Sequence, residues 1–589
     1  MLRVSLLLLL LMLTGCQRAA LHCDTAFTPI ATIQGIGETS PLLGKQLITR
    51  GVVLSAIYTD SPKPGIVLQS LQADNDPRTA EGLFISLTEP ERFSHGEVLL
   101  LQGTVAEIDQ MTSLVDVSLI ESCGTHSVTP QEISLPLPAE LNWEALEGMW
   151  LRFIQPLVIN DTYQLGRYGE ILLADKRLMV PTQVVLPGEP ARQRALAQER
   201  RSVVLDDGLW QQNPDPLPSP FNLLSAVTPI RLGDTLQNVE GILVQDQRGF
   251  RLVPTQTPQL VQRNPRPAPP QATAPRQLRV ASFNVLNFFT GADQPEAFPT
   301  RRGARSMQEL ARQQAKLVSA ILLMDADIIG LNELENNGYD NGSAIATLVA
   351  ALNTQTERPY AIVRTNETPG TDHIKVGIIY RPDTVQTVGQ PATQTQAPFH
   401  QLHRPPVAAS FKHRFSEQPL TVVVNHFKSK GSCPRENAAS AALQGDQGDG
   451  QACWNAARLE ASQGLQQWLQ SNPTGINSNY QLLLGDLNTY RMEDPIRYLE
   501  QAGWHYLSSS EAEYSYTFRG RSGSLDHALA SPALAARLAK VTHWSINADE
   551  AVLLDYSSRF KPASLAAALY ADNPFRSSDH DPVIVSLQF

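Results

Sequence analysis

The chain has 589 residues, too many for one ordinary core, so two to four domains are expected. A composition of 42% hydrophobic, 18% charged and 7% aromatic residues is globular and excludes collagen, coiled coil and wholesale disorder. The formal net charge of −11 argues against a broad basic surface that would grip nucleic acid non-specifically; a polyanionic substrate would need local cations and divalent metal.

Residues 1–22 read as an export signal and tether. Met1-Leu2-Arg3 starts the chain with a positive charge, and the apolar run from Val4 to Leu13 is too short to cross a bilayer. Leu13-Thr14-Gly15-Cys16 then resembles a bacterial lipobox, which implies lipid on Cys16. Gln17 after the cysteine favours the outer membrane, so an outer-membrane, cell-surface or extracellular location is expected, with membrane contact through the N-terminal lipid only. Export makes the five cysteines readable. With Cys16 lipidated, an even set remains. The favoured pairing joins Cys23 to Cys123, tying the start of the first domain to its end, and Cys433 to Cys453, closing a loop rich in Gly, Asp and Gln. Other pairings and free buried thiols are the alternatives.

Short β-rich segments at 47–56, 82–87, 98–105 and 114–118, separated by turn residues, predict a small all-β domain over 23–130. A second set at 151–159, 171–173, 203–205 and 239–244 predicts another over 131–263. The Pro-rich stretch 264–275 predicts an extended linker. From 276 to 589 the pattern alternates. Strands are predicted at 278–283, 327–331, 374–380, 408–411, 420–425 and 480–484, with helices at 306–324 and 458–470. The whole is α+β: two small β domains before a larger domain of mixed strands and helices.

Polar residues repeatedly follow the apolar strands of this last domain: Asn284, Glu333, Asn425 with His426, Asp486 with Asn488, Asp526 with His527, and Asp579 with His580. Each alone is more often a turn residue or helix cap. Together they mix hard oxygen donors, which suit Mg2+, Mn2+ or Ca2+, with histidines that suit proton transfer near neutral pH. That mixture fits metal-assisted attack on a phosphodiester.

In order, Phe283-Asn284, Leu331-Asn332-Glu333, Asn425-His426, Gly485-Asp486-Leu487-Asn488, Leu525-Asp526-His527 and Ser578-Asp579-His580 resemble the motifs of the endonuclease/exonuclease/phosphatase superfamily. The resemblance covers about 277–589 and implies the DNase I-like fold, a four-layer α/β sandwich. Arg302-Gly303-Ala304, Glu333-Leu334-Glu335-Asn336, Asn425 to Lys430, the Cys433/Cys453 loop and Asn547-Ala548-Asp549-Glu550 bring the chain closer to the ExeM/NucH-type extracellular endonucleases. These often carry an OB-like β domain, whose start Ile33-Gln34-Gly35-Ile36-Gly37 resembles. The resemblance implies metal ligation by Glu333 with Asn284 and Asp579, and an ion that is Mg2+ or Mn2+, with Ca2+ as a further candidate. It implies catalytic roles for His426, Asp486, Asn488, Asp526 and His580, His580 being paired with Asp526. Arg404 and Lys428 are the candidate phosphate contacts, and Glu367 the candidate support for His426.

The expected function is therefore that of an exported, monomeric, metal-dependent endonuclease that hydrolyses DNA and extends to RNA. The alternatives are a phospholipid phosphodiesterase or phosphatase of the same fold, and a non-catalytic nucleic-acid-binding surface lipoprotein. Asp446 to Gly450 lacks the EF-hand layout and reads as a solvated loop. Trp143 and Trp150 read as core of the second β domain, and His543 as structural or surface.

Overall fold

A computed structural model describes residues 21–589 apart from 220, 272–273, 275, 366–369, 417, 436, 509 and 511–512. The expected lipidation site Cys16 and the candidate Glu367 lie outside the described residues. The chain divides into two compact units. The first runs to Gln131 and adds Ala139–Leu151 and Ile242–Arg251; the second comprises Glu132–Pro138, Arg152–Gly241 and Leu252–Phe589.

In the first unit, five strands close into a barrel: β1 (Gln46–Ile57), β2 (Gly65–Gln69), β3 (Gly82–Ser86), β4 (Glu97–Ile108) and β5 (Met111–Thr125), in the order β1-β2-β3-β5-β4. Only the β3–β5 pairing is parallel among these neighbours. Alternate side chains point inward, as the two-residue strand period requires. Val53, Ile66, Leu68, Leu83, Ile85, Leu99, Leu101 and Leu114 thus fill the interior beneath Ile30 and Ile33 of the short helix Ile30–Gln34. Cys23 and Cys123 are bonded. Trp143 and Trp150, expected in the core of the second β domain, are half-buried and belong to this first unit.

Glu147 is a buried carboxyl within this unit. It is fully buried, accepting from the Thr112 amide at 3.0 Å and from Gln34 Nε2 at 3.2 Å. Burial, reinforced by repulsion from Glu144, pushes its carboxyl up to about 8. A carboxyl with a raised folded-state pKa contributes its stability below its unfolded value and loses it as pH rises toward about 8. Glu147→Gln should therefore leave the first unit more stable than wild type at pH 8, at about 1.4 kcal/mol per pKa unit removed. Chemical denaturation at pH 5 and pH 8 checks this: wild type should weaken between them by more than the variant, whose remaining loss comes from Glu144, also pushed up by burial, to about 7.

The second unit contains two six-stranded sheets packed face to face. In the first the order is Ala361–Ile362, Ile374–Tyr380, Ile328–Glu335, Gln277–Phe288, Val583–Gln588, Leu538–His543. In the second it is Val385–Thr393, Arg404–His413, Leu420–His426, Tyr480–Asp486, Asp526–Ala530, His505–Tyr506. Val280, Ile328, Val376, Val422, Val424 and Leu482 form part of the apolar layer between them. Helices Met307–Met324 and Ala344–Asn353 pack on the outer face of the first sheet, and Asn455–Gln470 and Asp494–Gln501 on that of the second. This is the expected four-layer sandwich. Ser306 starts the long helix by accepting the Glu309 amide at 3.2 Å.

Register brings the polar strand ends together. The parallel pair Gln277–Phe288 and Ile328–Glu335 sets Asn284 opposite Asn332, one residue short of Glu333. In the other sheet, His426 lies opposite Asp486, and Asp486 opposite Asp526.

Residues 152–264 hold a run of neighbouring strands in the order Gln259–Val261, Thr235–Gln237, Leu157–Asp161, Ile171–Ala174, Ser202–Leu205. An eleven-residue helix, Glu189–Glu199, interrupts this otherwise β-rich region. The region is anchored by charge. Buried Arg231 pairs with Glu550, reaches Asp549 at 3.4 Å and donates to the Ser545 carbonyl at 2.9 Å. Arg177 meets Asp549 at 2.9 Å, and Arg266 meets Glu550 at 2.7 Å. Of the expected linker, Arg266 is thus fixed by an ion pair, and Ala268 accepts Trp544 Nε1 at 3.0 Å. Arg231→Ala should leave two buried carboxylates under-compensated and cost about 3–5 kcal/mol of unfolding free energy, read from the denaturant midpoint of the second unit.

Candidate active site

The strand ends open into a cleft of about 690 Å3 lined by Asn287, Glu333, Arg404, His426, Asp486, Asn488, Asp579 and His580, among others. Its floor holds two acid–histidine pairs. His580 Nδ1 lies 2.7 Å from Asp526 Oδ2, which also accepts the Ser515 hydroxyl at 2.7 Å. His426 Nε2 lies 3.4 Å from Asp486 Oδ2, and Asn284 Nδ2 donates to that same oxygen at 3.3 Å. Asp486 Oδ1 takes the Asn488 amide at 2.9 Å, and Asn488 Nδ2 donates to the Phe427 carbonyl at 3.1 Å.

The two histidines differ in charge because their surroundings differ. Burial works against a charged His580, but the adjacent Asp526, together with Asp579 and Asp486, outweighs it and raises its pKa well above the ordinary value. His426 is pushed down to about 4 by burial and by the Arg404 guanidinium, so it is neutral. Burial opposes the charge on Asp486 too, yet the hydrogen bond from His426 and the charge on His580 hold its carboxyl well below the usual range.

Glu333 is half-buried in the cleft and receives the Asn287 amide at 3.0 Å. Its backbone is left-handed, φ 64°, a conformation uncommon for glutamate and typical of functional sites. Loss of water and the neighbouring Asp579 carboxylate push it up to about 7. Two acids that repel in a desolvated cleft form a donor set that a hard cation satisfies. Among the described residues no three His, Cys, Asp or Glu side chains form a cage for one. Mg2+, however, commonly uses one or two carboxylates and keeps several waters, so Glu333 with Asp579 fits it. The Asn284 amide nitrogen faces Asp486 while its oxygen accepts the Leu286 amide at 3.0 Å, so ligation by Asn284 requires its amide to turn.

Arg404 lies in the cleft, buried, donating to the Phe427 carbonyl at 2.7 Å, with Asp486, Asp372 and Glu333 as its acidic neighbours. Lys428 is placed differently: its ammonium bonds Ser429 and the Gly431 carbonyl within its own loop and sits 5.1 Å over the Trp454 ring. Lys430 lines the cleft instead. Cys433 and Cys453 are bonded, and Gly450 and Ala452 within their loop reach the cleft lining. His543, read as structural or surface, has a side chain only 4% exposed that lies 3.3 Å from Glu513, and its Nε2 lies 3.1 Å from Ser524 Oγ.

Several lining residues were not singled out from sequence: Tyr490, the hairpin residues Tyr516, Phe518, Arg519 and Arg521, and Val180-Pro181 from the preceding region. The Tyr516 ring lies 4.6 Å from that of His580. Tyr516-Thr517-Phe518-Arg519 carries an aromatic–basic signal, but short hairpins of this composition are common on surfaces.

Asp526→Asn keeps the shape of the side chain but removes the charge that holds His580 protonated. Activity should fall by about 100-fold or more, and the pH–rate profile should shift toward that of an unpaired imidazole. An unchanged profile would show that Asp526 does not act through His580.

Residues 281–580 match the Endonuclease/Exonuclease/phosphatase family, and residues 139–264 match a domain of unknown function (DUF8508). No curated protein matches the chain. Solved structures similar to it include the human Nocturnin catalytic domain with bound sulfate, at 12% identity over 54% of this chain and 96% of that one, TM-score 0.33. Another is D. rerio TDP2 complexed with single strand DNA product, at 15% identity over 53% and 99%, TM-score 0.30. A third is a mannosyl-6-phosphatase of Bacteroides thetaiotaomicron, at 14% identity over 53% and 100%, TM-score 0.31.

Proposed function

Because the chain belongs to the endonuclease/exonuclease/phosphatase family, we propose that it is an exported, divalent-metal-dependent nuclease that hydrolyses DNA, with RNA as a related substrate. The carrying observation is that Arg404, Arg519 and Arg521 line the acid–histidine cleft, beside Arg302 and Lys430, which are paired with Asp372 and Glu493, in a chain whose net charge is −11. Cations concentrated there serve a polyanion without a basic surface elsewhere. The two disulfides support an oxidising compartment. Among the described residues no helix is long and apolar enough to cross a membrane. The lipid tether at Cys16, the monomeric state and the ExeM/NucH-type specificity belong to the same reading. The strand order of the barrel supports its assignment as OB-like.

Glu333 and Asp579, with Asn284 once its amide turns, would hold Mg2+ or Mn2+, which supplies charge stabilisation at the phosphate. Protonated His580, fixed by Asp526, donates to a phosphate oxygen. Asp486, ionised and oriented by Asn284 and the Asn488 amide, accepts from an attacking water. Neutral His426 directs its one N–H to Asp486 and donates to substrate only once that bond is released, and Arg404 binds phosphate. Lys428 serves as a phosphate contact only after its ammonium leaves the Ser429–Gly431 loop.

Incubation with closed circular DNA and Mg2+ or Mn2+ should give nicking that chelator abolishes and that His580→Ala reduces by about 100-fold or more. Folded wild-type protein that leaves DNA and RNA intact with every metal, yet hydrolyses a phosphomonoester or phospholipid, would move the assignment to those substrates.

A further inference from the structure

Residues 139–264 match a domain to which no function attaches, yet one of its segments enters the cleft. Val180 and Pro181 line it beside Glu333, Asp486 and His580. The segment 177–183 is stitched to the hairpin formed by Tyr516–Phe518 and Arg521–Gly523. The Val180 amide donates to the Ser522 carbonyl and the Ser522 amide to the Leu178 carbonyl, each at 2.9 Å, in a strand-like parallel bridge at Met179. Gln183 Oε1 accepts the Ser524 amide at 3.0 Å, and the Thr182 hydroxyl donates to Glu493 at 2.7 Å. The hairpin tip is held as well: Gly520, φ 72°, packs so closely that a Cβ there would lie 2.2 Å from Leu172. The loop at 449–450 is braced in the same way, the Gly188 amide donating to the Asp449 carbonyl at 2.7 Å.

The consequence is a built wall of mixed chemistry. Val180 and Pro181 are apolar, Tyr516 is aromatic, and Phe518 is an aromatic left 54% exposed. Arg519 and Arg521 flank them on the same hairpin. Aromatic faces interleaved with guanidinium groups are what unstacked bases and their phosphates require, whereas a duplex hides its base faces and offers phosphates alone. The cleft volume, about 690 Å3, lies within the range of enclosing ligand pockets.

Resting on the nuclease reading above, we propose that the segment 177–183 is a specificity-determining element that, with the hairpin it holds, fits the cleft to a single nucleic-acid strand. Bases lie against Val180, Pro181, Tyr516 and Phe518, with phosphates at Arg519 and Arg521.

The test compares hydrolysis of a single-stranded oligonucleotide, a hairpin duplex of the same sequence and bis(4-nitrophenyl) phosphate by the full chain. Wild type should prefer the strand to the duplex in kcat/KM. Val180→Glu, at a partly exposed position, should raise KM for the strand about tenfold, equivalent to about 1.4 kcal/mol. It should lower the strand-to-bis(4-nitrophenyl) phosphate ratio of kcat/KM to match. Phe518→Ala, a truncation at an exposed position, should do the same and guards against a folding defect in the first variant. Equal or faster cleavage of the duplex by wild type, or unchanged strand KM in both variants, would overturn the proposal while leaving the nuclease reading intact. Hydrolysis of bis(4-nitrophenyl) phosphate with no cleavage of either nucleic acid would overturn both.

Discussion

Asp486 and Asp526 stand directly opposite each other on adjacent antiparallel strands, both buried. Like charges so placed repel at short range, and the site is organised around keeping them apart in function. Asp486 is given the Asn488 amide, the Asn284 amide and neutral His426. Asp526 is given the Ser515 hydroxyl and protonated His580. One acid is thereby left ionised toward the cleft while the other serves to hold an imidazole. Separation of two titrating pairs by environment is the usual way one site supplies both a donor and an acceptor near neutral pH.

The sandwich architecture makes this arrangement available. Two parallel strand pairs, one in each sheet, end on the same cleft. The apolar runs needed for burial between packed sheets therefore terminate in polar residues at a common place. That is why the candidate residues that meet at this cleft were legible from sequence: Asn284, Glu333, His426, Asp486, Asn488, Asp526, Asp579 and His580 each follow an apolar run or sit beside a strand, and their spacing follows strand length. The helix from Met307 to Met324 was equally legible, because its amphipathic period and the Ser306 cap are local signals.

What escaped the sequence is what depends on long-range docking. Arg177, Arg231 and Arg266 carry no local signal, since a lone arginine in a β-rich segment reads as surface. Only in the folded chain do they converge on Asp549 and Glu550. The same holds for Val180-Pro181 and the Tyr516–Arg521 hairpin, whose place in the cleft is set by pairing between segments separated by more than three hundred residues. The Pro-rich stretch after Asn264 illustrates the converse. Its composition specifies an extended backbone, but Arg266 and the Ala268 carbonyl bind the catalytic domain, so extension there does not amount to freedom.

These contacts couple two features that would otherwise be independent. The buried ion network fixes the preceding region to the catalytic sandwich, and the strand-like bridge at Met179 converts that attachment into a defined cleft wall. Arg177 belongs to both: it pairs with Asp549 and donates to the Ser522 hydroxyl at 3.1 Å, on the hairpin that carries Phe518 and Arg519. The charge cluster is thereby connected through Arg177 to the hairpin that lines the cleft.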